Sequence, residues 1–309
     1  MEEHATVIGL PRAMLYYRFR TLWRTFFQEL GMEVLASPPT DRDILEKGTA
    51  LAIDEACLSL KIYLGHVAAL VGKCGYILVP RVSSFGRRRN MCTRFEALPD
   101  LVRNVFRGTE QKFLTYDLDV LMKKDEASAF LDMGRSLGCP PKAVRRAYKL
   151  AKKAEAAHHR SAVQKQAALR QEKGMKILIA AHSYVAEDPY MGRTVTDYLK
   201  RAGVIPLRAD LVDRSEALEL SRELSPTCKW EISREILGGI AMYEEDVDGI
   251  ILLSAFPCGP DAMVNELIAR RVKGVPMLNL VLDSQSGTAG VETRLESFID
   301  IIRFKGGQL

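Results

Sequence analysis

Apolar and polar positions in the first third of the chain follow a strand–helix–strand–helix order. Short apolar runs, ATVIGL, EVLAS and YILV, have the composition of buried strands and are separated by segments with the apolar spacing of helices. Prolines 11, 38 and 80 stand at the ends of these runs, and Asp41 is placed to cap a helix. This order predicts a parallel sheet with helices on its faces.

Residues 100–173 show no comparable strand. The segments 117–138 and 141–174 have helical apolar spacing and are separated by Cys139 and Pro140. The second segment is long and rich in Ala and Lys, and it is charged on one face. We expect it to pack across or between domains.

The strand–helix alternation restarts after Gly174. The runs MKILIAAH, VIPLRA, DGIILLSAF and VPMLNLVLD read as strands, and helical segments lie between and after them. The predicted fold class is therefore α/β, with two Rossmann-like parallel-sheet domains and a helical segment between them. The predicted boundaries are 1–115 for the first domain, 116–173 for the helical segment and 174–309 for the second domain.

Composition agrees with a soluble globular protein. The 309 residues suffice for two domains, and a 47% hydrophobic content supports a sizeable core. No apolar run is long enough to span a bilayer, and MEEHATVIGL lacks the features of a signal peptide. We therefore expect a cytoplasmic protein without membrane association.

Positive charge is concentrated in two places, although the net charge of +5 is mild. Arg87–Arg89 and the stretch 142–173 could meet the phosphates of a nucleotide, of coenzyme A or of nucleic acid, or could form ordinary solvated surface. The chain has no phosphate-binding loop and no intact GxGxxG motif, so ATP or NAD binding is not supported. Basic residues are not interleaved with aromatic ones, which argues against a nucleic-acid partner.

Polar and reactive residues follow several predicted strands. Arg12, His182 and Cys258 each come after an apolar run, as does the segment 283–287. Ligands of open parallel sheets bind outside the carboxyl ends of the strands. The pattern therefore predicts a ligand cleft between the two domains.

Six cysteines are scattered along the chain without a CxxC pair. Cys57 and Cys258 stand at predicted helix starts, where the helix dipole favours a thiolate, and Cys92 lies in a loop after the basic triplet. Their spacing leaves three possibilities open: a shared metal site, inert buried thiols, or a catalytic thiol. His66 and His182 are available as bases, but nothing in the sequence pairs either with a cysteine.

Several motifs together carry a family resemblance. They are IGLPRAMLYYR, DEACLSLKIYLGHV, YILVPRV with NMCTRF, HSYVAEDPYMG, FPCGPDAMVNE and LDSQSGTAGVETRLESFID. Nearly end to end, the chain resembles the 2-hydroxyacyl-CoA dehydratase and benzoyl-CoA reductase D-component family. Within it, the chain looks most like the stand-alone acyl-CoA dehydratase activase-related proteins of anaerobic bacteria.

The resemblance implies an oxygen-sensitive iron–sulfur protein. Cys57, Cys92 and Cys258 match the motif cysteines and would hold a [4Fe–4S] cluster between the domains, with Cys228 as a possible fourth ligand. Enzymes of the family accept a low-potential electron from an ATP-dependent activase protein. They pass it to an acyl-CoA substrate, which then eliminates water in a lyase reaction.

The resemblance also suggests where a substrate would bind, although it assigns no catalytic residue. Arg12, His66 and His182 are candidate substrate contacts, and Arg87 is a candidate for holding coenzyme A phosphates. Hydrogen-bonded framework roles for the first three, and solvated surface for Arg87, are the alternatives.

The sequence departs from the family pattern near the cysteines and in the closing motif. Ser59 and Thr93 replace expected prolines, and Ser284-Gln285 and Thr288 replace expected acidic and histidine residues. These departures weaken the case for dehydratase activity more than the case for cluster binding. A non-catalytic cluster carrier or accessory subunit for the activase, and a double-cubane-type reductase of small molecules, are the alternative functions. The chain could act as a homodimer or heterodimer.

Overall fold

Each half of the chain builds one four-stranded parallel sheet. The computed structural model describes residues 6–285 and 288–305. The first compact unit ends at His159, and the second begins at Arg160. The predicted α/β class with two Rossmann-like parallel-sheet domains is confirmed. The finer division at residues 115 and 173 stays a prediction.

The first unit alternates strands and helices and ends in a long helix that continues past residue 159. Its elements are β1 (Val7–Leu10), α1 (Tyr16–Glu29), β2 (Glu33–Ala36), α2 (Arg42–Leu51), α3 (Leu58–Leu70), β3 (Tyr76–Ser84), α4 (Thr93–Glu96), α5 (Leu98–Val105), β4 (Lys112–Asp119), α6 (Glu126–Ser136) and α7 (Pro141–Gln171).

The second unit repeats the alternation. Its elements after α7 are β5 (Lys176–Ala180), α8 (Ser183–Ala186), α9 (Gly192–Arg201), β6 (Ile205–Arg208), α10 (Arg214–Leu224), α11 (Glu231–Tyr243), β7 (Gly249–Ala255), α12 (Gly259–Arg271), β8 (Met277–Leu282) and α13 (Thr288–Lys305). None of the helices that the structure describes is both long and apolar enough to cross a membrane.

Strand β4 corrects the expectation that residues 100–173 contain no strand. Its side chains alternate between buried and partly exposed positions, and Leu114, Tyr116 and Leu118 point into the core. The ring of Tyr116 packs against Trp23 and Phe130, with ring centroids 5.7 Å and 5.4 Å apart. Cross-packing of this kind stabilises a strand whose other face is polar.

The expected helix over 117–138 is also shorter in the structure. The chain stays in β4 to Asp119, makes one short 3-10 turn, and begins α6 only at Glu126. Lys123 adopts a left-handed conformation (φ 60°), and the side chain of Asp125 caps the new helix by accepting from Ser128 N at 2.8 Å. The left-handed residue interrupts the helix that the apolar spacing predicted.

Strand β3 continues through Pro80 instead of ending there. Pro80 has no N–H to donate, which normally excludes proline from a central strand. Here β3 pairs with β1 only at Tyr76 and Ile77, so the neighbouring strand has ended before Pro80 is reached. On the other side β3 remains paired with β4 along its length, and Pro80 lies opposite Tyr116.

Both sheets have the same strand order. The first runs β2-β1-β3-β4 and the second runs β6-β5-β7-β8. In each sheet the second strand along the chain pairs with one side of the first strand, and the third strand pairs with the other side. The boundaries between β1 and β3 and between β5 and β7 are therefore topological switch points, where open parallel sheets bind ligands at the carboxyl edge.

Helices α2 and α3 are in backbone contact at two glycines. A Cβ atom added at Gly65 would lie 1.9 Å from the carbonyl oxygen of Ile44, and one added at Gly48 would lie 1.8 Å from that of Lys61. Only glycine fits at these distances. The contact fixes the position of α3, which begins just after Cys57.

We predict that Gly65→Ala lowers the free energy of unfolding by about 3 kcal/mol or more, because the added methyl group meets rigid main chain. Urea unfolding followed by circular dichroism measures this change. Gly108→Ala is the matched control, since an added Cβ there has no atom within 4 Å among the described residues. Equal urea midpoints for Gly65→Ala and Gly108→Ala would contradict the close contact between the main chains of α2 and α3.

Candidate functional sites at the carboxyl edges of the sheets

Cys57 and Cys92 each stand immediately before a helix of the first unit. Cys57 precedes α3 and Cys92 precedes α4, both with extended backbone (φ −64°, ψ 151° and φ −73°, ψ 155°). Their carbonyl oxygens accept hydrogen bonds from Leu60 N at 2.9 Å and Phe95 N at 3.0 Å, and both cysteines are half-buried. Because α3 runs back to the start of β3, its first residues lie at the carboxyl edge of the sheet. The loop that carries Cys92 leaves that same edge.

The loop after β3 folds back on itself and carries the basic triplet Arg87–Arg89. Ser84 and Asn90 form an antiparallel bridge, and Met91 N donates to the carbonyl oxygen of Ser83 at 2.9 Å. Arg87 lies exposed near the tip of this loop. Its side chain is accessible to solvent, and the predicted contact with phosphates stays a prediction.

His66 is buried and holds two loops together. Its Nδ1 lies 2.8 Å from Ser37 Oγ and its Nε2 lies 2.9 Å from Thr40 Oγ1. Burial lowers the pKa of His66 to about 3, with the nearby charge of Arg12 acting in the same direction. Both ring nitrogens are thus engaged by hydroxyl groups. A direct substrate contact, as predicted for this residue, would require breaking one of these bonds.

Arg12 follows β1 at the switch point of the first sheet. Its main-chain N–H donates to Ser37 Oγ at 2.9 Å, which links it to the hydroxyl that contacts His66. Its Nε is buried and has no hydrogen-bond partner in the part of the chain that the structure describes. A buried donor without an acceptor destabilises the folded protein by about 1–3 kcal/mol. A ligand that offers a polar or anionic acceptor to Nε would remove this cost. Arg12 remains a predicted substrate contact.

Cys258 occupies the same kind of position in the second unit. It follows β7 and precedes α12, again with extended backbone (φ −85°, ψ 107°), and its carbonyl oxygen accepts from Ala262 N at 3.0 Å. The cysteine is half-buried, whereas Phe256 and Pro257 just before it are exposed. A Cβ added at Gly259 would meet no described atom within 4 Å. The beginning of α12 is therefore open space.

His182 and Asp261 form a buried pair at this edge of the second sheet. His182 follows β5, Asp261 lies in the first turn of α12, and the distance from Nε2 to Oδ1 is 2.7 Å. The ring of Tyr184 stacks on the imidazole with centroids 5.1 Å apart. Nδ1 is buried without a partner among the described residues. His182 was predicted from the sequence as a substrate contact, whereas Asp261 was not predicted. The only sign of Asp261 in the sequence is that an acidic residue stands in the first turn of the helix after Cys258.

The other three cysteines share a different environment. The thiols of Cys74, Cys139 and Cys228 lie within 3.6 Å, 3.9 Å and 4.0 Å of main-chain carbonyl oxygens to which they can donate. Burial raises the pKa of all three thiols, which disfavours the thiolate. Cys228 packs against the apolar core of the second unit, beside Trp230. These features fit protonated structural thiols.

The predicted ligands belong to two units, with Cys57 and Cys92 in the first and Cys228 and Cys258 in the second. Over residues 6–285 and 288–305, no group of three or more His, Cys, Asp or Glu side chains is arranged to hold a metal ion. The shared cluster therefore stays a prediction.

In the closing motif, Gln285 N donates to Asp283 Oδ1 at 2.7 Å, whereas Ser286 and Gly287 lie outside the described residues.

One family model matches more than half of the chain. It is described as the CoA enzyme activase uncharacterised domain (DUF2229) and aligns with residues 7–212. That range contains Cys57, Cys92 and His182 and ends before Cys258. A comparison with curated proteins found no match.

We predict that stability falls as the pH drops from about 6.5 towards 3, in part because of His66. The unfolded chain binds a proton at this residue in that window, whereas the folded protein excludes it until about pH 3. Within this window, proton binding by His66 in the unfolded chain lowers the free energy of unfolding by at most about 1.4 kcal/mol for each unit by which the pH falls. Urea unfolding at pH 7, 6 and 5 should show a shallower pH dependence for His66→Gln, whose amide can still meet both hydroxyls. Exposed His158→Gln is the control, and an unchanged slope in His66→Gln would refute the assignment.

Proposed function

The chain belongs to the CoA enzyme activase-related family DUF2229, and from this membership we propose that it is an iron–sulfur protein of coenzyme A thioester chemistry. In this proposal Cys57, Cys92 and Cys258 hold a [4Fe–4S] cluster. An ATP-dependent activase protein is the electron donor, and an acyl-CoA is the substrate class. The narrower likeness to dehydratase D components is part of the same proposal.

The shared setting of these three cysteines carries the proposal. Each is half-buried, has extended backbone, and lies at the carboxyl edge of a sheet immediately before a helix. Main-chain N–H groups at the start of a helix favour a thiolate and can hydrogen-bond to sulfur. Cysteine thiolates are the usual ligands of iron–sulfur clusters. The chemistry of the donor set thus fits the group that the family likeness implies.

Cys228 is left out of the proposed ligand set. Its thiol can donate to the carbonyl oxygen of Trp230, and burial raises its pKa, so the thiolate is disfavoured. Cys74 and Cys139 share these properties. The proposal therefore rests on three cysteines and assigns the other three to structural roles.

The remaining residues of the two edges would bind and orient the substrate. The exposed Arg87 is suited to a coenzyme A phosphate, and Arg12, which follows the first switch point, has a buried Nε without a partner among the described residues. When bound, the cluster supplies one-electron transfer at low potential. Ser284 and Gln285, which stand where the family has an acidic residue and a histidine, favour a carrier or accessory role as the second candidate function.

We predict that Cys258→Ala loses its cluster iron after anaerobic reconstitution, because one thiolate ligand is removed. Cys57→Ala and Cys92→Ala should behave in the same way. Cys74→Ala and Cys228→Ala are matched controls that should keep the wild-type content. Iron and sulfide quantification measures the result, and equal iron in Cys258→Ala and Cys74→Ala would refute the ligand set.

We also predict that an ATP-dependent activase reduces the protein only when ATP is hydrolysed. Electron paramagnetic resonance should show a reduced-cluster signal with activase, reductant and Mg-ATP, and none when ATP is omitted. Elimination of water from a 2-hydroxyacyl-CoA would then identify an enzyme, and reduction without turnover would identify a carrier. The absence of any ATP-dependent signal from a loaded protein would contradict the activase partnership.

A further inference from the structure

The imidazole of His182 is held in one orientation by two neighbours. Asp261 Oδ1 lies 2.7 Å from Nε2, and the Tyr184 ring covers one face of the imidazole at an interplanar angle of 27°. Both members of the pair are buried, with 4% of the His182 surface and 7% of the Asp261 surface exposed. Of the two ring nitrogens, only Nδ1 remains without a hydrogen-bond partner among the described residues.

The carboxylate of Asp261 determines whether Nδ1 of His182 accepts or donates a hydrogen bond. An ionised carboxylate only accepts, so in the neutral ring the proton sits on Nε2 and Nδ1 presents its lone pair. The same arrangement, a carboxylate fixing the tautomer of a histidine, exposes a basic nitrogen in catalytic and ligand-binding sites. A buried acceptor without a donor is unfavourable, and native proteins rarely keep one without a use.

The position of the pair places this acceptor at the edge where a ligand binds. His182 follows β5 and Asp261 begins the helix after β7, and these two strands are neighbours on either side of the switch point. The segment that leads from β7 to Asp261 lies at the surface, since Phe256, Pro257 and Gly259 are exposed. A side-chain carbon added at Gly259 would meet no described atom within 4 Å, so the start of α12 is not packed against another part of the described chain.

We propose that Nδ1 of His182 accepts a hydrogen bond from an O–H or N–H group of a ligand bound at the switch point of the second sheet. Asp261 acts as a positioning residue that sets the tautomer. The choice of ligand rests on the proposed function, because a coenzyme A thioester offers such donors in three places. They are the adenosine part, the pantetheine arm and, in a 2-hydroxyacyl thioester, the hydroxyl of the acyl group.

Nuclear magnetic resonance of the full chain with 15N-labelled histidine tests the acceptor directly. The five histidines give separate ring signals, and the signal absent from His182→Gln identifies residue 182. In the free wild-type protein we expect an unprotonated Nδ1 and a protonated Nε2. Asp261→Asn can donate to Nε2 instead and should move the proton to Nδ1. A protonated Nδ1 in the free wild-type protein would overturn the proposal.

Titration with coenzyme A, with an acyl-CoA and with the matching 2-hydroxyacyl-CoA locates the donor. A shift of the Nδ1 signal with all three indicates a donor of the coenzyme A part that they share, and a shift with the hydroxylated thioester alone indicates the acyl hydroxyl. Either result supports the proposal, and His182→Gln should bind the active ligand about tenfold more weakly. The exposed His158→Gln should bind as the wild type does.

Failure of the hydrogen bond proposed for His182 and failure of the proposed coenzyme A function give different results. Binding to the wild-type protein that leaves the His182 signals unmoved, with unchanged affinity in His182→Gln, overturns this inference alone. If none of the three compounds binds, both the coenzyme A part of the proposed function and the ligand assigned to His182 are wrong.

Discussion

The strand order 2-1-3-4, found in both sheets, is the constraint on which the candidate sites depend. It makes the first and third strands of each unit neighbours while their connections leave on opposite sides, and open parallel sheets bind ligands at the carboxyl edge of such a point. In each unit the third strand leads to a half-buried cysteine before a helix, Cys92 or Cys258. The first strand leads to Arg12 or His182, each with a buried side-chain nitrogen that has no hydrogen-bond partner among the described residues. A thiol and a polar group thus belong to the same edge in both halves.

Local packing gives the cysteines their surroundings. Cys57 sits at the head of α3, and the contact of Gly65 with the main chain of α2 fixes that helix. Cys74, Cys139 and Cys228 instead lie against carbonyl oxygens in partly apolar surroundings, where burial raises the thiol pKa. The surroundings of these three thiols therefore disfavour the thiolate form that ligation requires.

Elements with a strong local signal were predictable, whereas long-range polar contacts were not. Strand β7 is buried at every position and reads as a continuous apolar run, but β4 alternates with polar residues and was missed. Lys123 stopped a helix because of its left-handed backbone, which apolar spacing does not report. The pair His182–Asp261 joins residues 79 positions apart, so only the folded chain could reveal it. The hydroxyl groups that engage His66 escaped prediction for the same reason.

The iron–sulfur cluster that we propose at the three edge cysteines can be measured by its metal and sulfide content. Iron and acid-labile sulfide in the wild-type protein, purified and reconstituted without oxygen, test it most directly when combined with Mössbauer spectroscopy. We predict about four irons and four sulfides per chain in the spectroscopic form of a [4Fe–4S] cluster. Fewer than about three irons per chain, or iron without sulfide, would contradict it.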